Sequence, residues 1–68
     1  MTDELQIDDY VKFFNYGEVL IGKIKSVYSN GTLEIWSTQT IHMRNILDVL
    51  EKIETEEASF YKLKGLAP

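Results

Sequence analysis

Asn30-Gly31 restricts how this chain folds more than any other feature. Asn-Gly accepts the positive φ angles of a tight hairpin turn, and here it separates two runs whose side chains alternate between apolar and polar. The alternation extends from Asp9 to Trp36, which reads as half-buried antiparallel strands and not as helix. Asp9 to Phe14 sets Val11 and Phe13 against Tyr10, Lys12 and Phe14, and Asn15-Tyr16-Gly17 turns the chain. Glu18 to Tyr28 follows with Leu20, Gly22 and Ile24 on one face. Val27 then breaks the phase by one residue, so a β-bulge is expected near Lys25-Ser26. Gly22, lacking a side chain, is expected where a neighbouring strand or ring comes close.

Beyond the hairpin, Thr32 to Trp36 should point Leu33 and Ile35 inward and Glu34 and Trp36 outward. Ser37-Thr38-Gln39 should turn the chain into a fourth strand, Thr40 to Met43, with Ile41 and Met43 inward. Arg44 to Ile53 mixes helical and strand spacing; a 3₁₀ turn at Arg44-Asn45-Ile46 and a last strand from Leu47 to Glu51 is the preferred reading. Thr55-Glu56-Glu57-Ala58 opens like a capped helix with Thr55 as N-cap, Gly65 and Pro68 mark its end, and Phe60, Tyr61 and Leu63 are its docking side chains. A disordered tail is the alternative.

Three pieces of this pattern match a known fold: Asp9-Tyr10-Val11-Lys12-Phe13, the Gly22-Lys23-Ile24-Lys25-Ser26-Val27 run before the Asn30-Gly31 hairpin, and Ile41-His42-Met43-Arg44-Asn45-Ile46 leading to Val49. Together they resemble the SH3-like small β-barrels, the group that holds Tudor-like and translation-factor-type domains. The resemblance implies an all-β, five-stranded, strongly bent barrel over residues 9–52, with a 3₁₀ turn before the last strand. Residues 1–8 would form an acidic leader and 53–68 a C-terminal helical or disordered tail. It implies no single function, because this fold hosts peptide, methyl-lysine, RNA, DNA and subunit-contact surfaces.

Composition narrows the chemistry. A chain of 68 residues has room for one domain, and without cysteine it has no disulfide, thiolate ligand or cysteine nucleophile. Its single histidine, His42, expected on a solvent-facing strand with Asp48 and Glu51 nearby in sequence, makes a poor catalytic centre and a poor zinc site. Asp3, Asp8 and Asp9 do not match a calcium loop. The reading is therefore non-enzymatic, with no catalytic residues, cofactor or metal. The longest apolar stretch, Val19-Leu20-Ile21, is far too short to span a membrane, and the acidic amino terminus lacks a signal peptide's basic start, so a cytoplasmic protein is expected.

The net charge is −4, but it is unevenly placed. Asp3, Glu4, Asp8 and Asp9 make the leader strongly acidic. Lys12, Lys23, Lys25 and Arg44 slightly outnumber Glu18, Glu34 and Asp48 in the barrel segment, so overall charge is a weak guide to the binding surface. The aromatics are more informative: Tyr10, Phe14, Tyr16, Tyr28 and Trp36 fall opposite the core or at turns. Exposed aromatics anchor protein interfaces, cage methylated ammonium groups or stack on bases, and equally they pack terminal segments. With Glu18 or Glu34, Tyr16, Tyr28 and Trp36 hold the parts of a methyl-lysine cage.

The favoured function is a small adaptor or regulatory subunit, of the kind found among phage or bacterial accessory proteins, that binds another protein through Trp36, Tyr28, Tyr16, Tyr10 and Phe14. The alternatives are a weak single-strand nucleic-acid binder using Lys12, Lys23, Lys25 and Arg44, and an acidic mimic using the leader and tail carboxylates. An open barrel also leaves strand edges on which a homodimer would form.

Overall fold

A computed structural model describes residues 5–65. Its five antiparallel strands are β1 (Tyr10–Asn15), β2 (Glu18–Val27), β3 (Thr32–Ser37), β4 (Thr40–Asn45) and β5 (Val49–Ile53), with a 3₁₀ turn at Ile46–Asp48 and one helix, α1 (Thr55–Leu63). They form one open sheet in the order β4-β3-β2-β1-β5, so β4 and β5 are its edges.

The inner face carries the core. Val11, Phe13, Ile24, Leu33 and Ile35 are fully buried there, with Leu5, Leu20 and Val49 packed around them. Among the described residues no second layer lies over this face, so burial this complete requires the sheet to curl over itself. Two irregularities bend it: Lys25 is the extra residue between the Ile24–Ile35 and Ser26–Glu34 pairs, and the β1–β5 register shifts between Lys12 and Phe13. The first is the bulge expected from the phase break; it returns Val27 to the inner face opposite Leu33, though at the sheet's end Val27 stays 42% exposed. Gly22 holds the tightest approach, since a Cβ there would run into Ile35 Cγ2 and lie 2.9 Å from the Trp36 carbonyl oxygen and 3.1 Å from Phe13 Cε1.

β4 faces the opposite way from expectation. Thr38 and Gln39 have φ of 51° and 62°, which makes the β3–β4 connection a two-residue turn with Ser37 paired to Thr40. A turn shorter by one residue flips the whole strand, because side chains alternate with period two. Ile41 and Met43 therefore lie outward, 43% and 51% exposed, while His42 and Arg44 turn inward onto Phe13. The inward His42 also corrects the solvent-facing expectation for that residue.

The 3₁₀ turn lies two residues later than expected because Asn45 caps it. Its side-chain oxygen accepts from the Leu47 N–H, and the Asp48 carboxylate accepts from the Asn45 N–H. The last strand shifts with it, to Val49–Ile53. The tail is helical: Thr55 opens the helix but Glu54 is its N-cap, with no side-chain capping bond, and Gly65 at φ 76° ends it. Ala58 and Tyr61 dock the helix on the outer face, against Ile21, Ile53 and Tyr10. Phe60 and Leu63, expected to dock, are 54% and 89% exposed. The leader is more than a solvated tail, since Leu5 packs on the core and the Asp8 N–H donates to the Ile24 carbonyl. Asp3, Glu4 and Pro68 lie outside the described residues.

Candidate functional site

Register places one row of side chains across the outer face of all five strands: Ile53, Tyr10, Lys23, Trp36 and Ile41. Helix α1 sits on the Ile53–Tyr10 end of this row. Tyr10 is half-buried under it, flanked by Lys23 and Lys62, whose ammonium groups lie 6.0 and 5.5 Å from its ring centre. Of the expected anchors, Tyr10 thus serves helix docking.

Among the described residues nothing from α1 covers the other end of the row. Trp36 stands half-buried between Lys23 of β2 and Ile41 of β4, and Met43 lies opposite Glu34 in the next outward position. Tyr28, 45% exposed, donates its hydroxyl to Glu34 Oε2 at 2.8 Å. That bond holds the tyrosine proton, so the Tyr28 pKa lies above the ordinary value of 10.0. Trp36, Ile41, Met43 and the Tyr28–Glu34 pair therefore form one patch, mostly apolar with a single carboxylate. Sequence reasoning missed Ile41 and Met43, assigning them to the core; the signal available was the length of the Thr38-Gln39 turn.

Tyr16 and Phe14 are elsewhere. Tyr16, 99% exposed, sits at the tip of the β1–β2 hairpin, and Phe14 lies on the outer face opposite Val19. Tyr16 lies in the turn before β2, Glu18 opens the strand and Tyr28 follows its end, roughly 30 Å of extended chain away, so Tyr16 and Tyr28 do not line one cage.

The four expected cations are dispersed and mostly engaged. Lys12 is bridged to Glu51 at 2.9 Å, a hydrogen bond that raises the lysine pKa above 10.5 against the opposing effect of desolvation. Lys23 faces Asp8 at 3.5 Å. Arg44 reaches across the curled sheet from β4 to β1: its guanidinium donates to the Met43 carbonyl at 2.8 Å, to Asn15 Oδ1 at 2.9 Å and, more weakly, to the Phe14 carbonyl at 3.4 Å. Lys25, at the bulge, has no ion pair among the described residues. A strip of phosphates would meet one uncommitted lysine here, where duplex or single-strand binding needs a basic track.

His42 has a structural setting. Its ring packs 5.2 Å from that of Phe13, and Nε2 lies 3.2 Å from the Ser37 carbonyl oxygen, which it meets as donor. Among the described residues no three histidine or carboxylate side chains gather in a way that would hold a metal ion. No helix among them is long and apolar enough to cross a membrane. No protein-family model, curated protein or solved structure matches this chain.

Proposed function

We propose that this chain is a small protein-binding module, an adaptor or regulatory subunit, whose docking surface is the uncovered half of the outer sheet face. One observation carries the reading: α1 covers the Ile53–Tyr10 end of that face and leaves Ile41 and Met43 about half exposed around Trp36, with Tyr28 beside them. A contiguous exposed apolar patch marks an interaction surface, and tryptophan and tyrosine are its usual anchors. Glu34, holding the Tyr28 hydroxyl, adds an acceptor at the rim.

The proposed architecture is the SH3-like small barrel, acting in the cytoplasm. The β4-β3-β2-β1-β5 order, the bulge at Lys25, the 3₁₀ turn before β5 and the Arg44 link from β4 to β1 support it.

The test is affinity capture from a lysate of the source cell, with and without nuclease, comparing wild type with Trp36→Ala and with Lys23→Glu/Lys25→Glu. A nuclease-resistant protein partner lost in Trp36→Ala but retained by the lysine variant is the expected result, provided circular dichroism shows both variants folded. Retention that disappears with nuclease, or that ignores Trp36, overturns the reading.

A further inference from the structure

The two edges of the sheet are not alike. β5 is short, shifted in register against β1, and carries Glu51 and Lys52 paired to Lys12 and Asp9. Those are the devices that keep a strand edge from recruiting another chain. β4 has fewer of them: six consecutive pairs with β3 run without a shift, Thr40 to Asn45 contain no proline, lysine or carboxylate, and the inward Arg44 is its one charged side chain.

The hydrogen-bond phase of β4 follows from its turn. A two-residue hairpin makes Ser37–Thr40 a bonded pair, and bonded pairs alternate, so Ile35–His42 and Leu33–Arg44 are bonded as well. The N–H and C=O groups of Ile41 and Met43 then point away from β3. Two side-chain bonds fit this phase: the Met43 carbonyl accepts from Arg44, and the Asn45 N–H donates to Asp48. The N–H groups of Ile41 and Met43 and the Ile41 carbonyl have no partner among the described residues.

Arg44 supplies the chemistry that selects an occupant. It makes no ion pair among the described residues; its three bonds go to uncharged oxygens, which leaves two of a guanidinium's five N–H donors unspent beside this edge. From these observations we infer that the β4 edge receives an extended segment of another protein, added as a sixth strand, with apolar residues beside Ile41 and Met43 and a carboxylate on the alternate face for Arg44. A second copy fits less well, because pairing β4 with itself sets Ile41 against Met43 but brings no carboxylate to Arg44. The inference rests on the protein-binding reading above and names the partner's form.

The probe is a blocked peptide of alternating valine and glutamate, about ten residues long, enough to cover β4 at ~3.3 Å per residue. Its control is the same length of alternating valine and lysine. Binding is followed by fluorescence polarisation, and by amide exchange of the whole chain read at single residues. The glutamate peptide should bind at least about tenfold more tightly than the lysine peptide and should slow exchange at Ile41 and Met43 by at least about tenfold. Equal affinities, no binding, or binding that leaves those two amides unchanged overturns the inference. So does slow exchange there in the free protein that tracks dimer formation in sedimentation, which assigns the edge to a second copy. Loss of capture in Trp36→Ala without edge protection leaves the docking face standing and removes only the added strand; edge protection with capture indifferent to Trp36 does the reverse.

Discussion

Gly22 shows how one residue sets the spacing of the sheet. Its missing side chain is where Ile35, the Trp36 carbonyl and Phe13 converge, so Gly22→Ala must displace backbone as well as side chains. Overpacking of this kind costs about 1–3 kcal/mol, and urea melts should show a loss near the top of that range. Sequence anticipated the close approach at Gly22 because an interior strand glycine has few other uses.

Tyr28 is the second residue whose setting can be measured. Its raised pKa means that the folded state holds the phenol proton more tightly than the unfolded chain does. The stabilisation is therefore present below pH ~10 and disappears as pH rises through the folded value. Absorbance titration should show Tyr28 ionising above the ordinary tyrosine value of 10.0, and Glu34→Gln should lower the Tyr28 value, since a charged acceptor is exchanged for a neutral one. The partnership with Glu34 was not legible as such, though both residues were singled out; it needs the register across the β2–β3 hairpin.

At the scale of elements, Thr38-Gln39 is the least comfortable part of the fold. Both residues hold positive φ without being glycine or asparagine. Gln39→Gly should therefore stabilise the protein by about 1 kcal/mol in thermal or urea unfolding, less the backbone entropy that glycine brings. The Thr38 hydroxyl, bonded to the Ser37 carbonyl, is left in place by that change. Four of the five strands begin within one residue of the expected start, because their boundaries fall at Gly17, Gly31 and other turn residues. β5 and the 3₁₀ turn slid by two residues, because the Asn45–Asp48 capping pair outweighed the apolar spacing that had located them. The helix was recognised, but its docking face only in part: Tyr61 docks as expected and small Ala58, 1% exposed, allows the helix close to the sheet, while Phe60 and Leu63 are left largely outside.

For the molecule as a whole, a radius of gyration of 11.0 Å matches the ~11 Å expected of a compact chain of this length. Arg44 couples the β4 edge of the curled sheet to β1. Arg44→Met keeps much of the stem's packing on Phe13 but loses the bonds to β1, and should cost about 1–2 kcal/mol in a single cooperative unfolding transition. Arg44→Lys should not recover that loss, because a point charge cannot meet three acceptors arranged for a planar fork. Here the sequence was misleading: Arg44 was read among surface cations, and only the inverted phase of β4 brings it inward.

That inversion gives the β3–β4 turn a further significance. Its length, not the composition of the strand, determines which of two alternating sets of side chains meets solvent. One inserted codon between Ser37 and Thr40 would invert the strand, withdrawing Ile41 and Met43 and presenting His42 and Arg44. A sticky surface would become a cationic one with every strand residue conserved. In a lineage of such domains, recognition could change through the spacing of a loop while the strand's sequence recorded nothing of it.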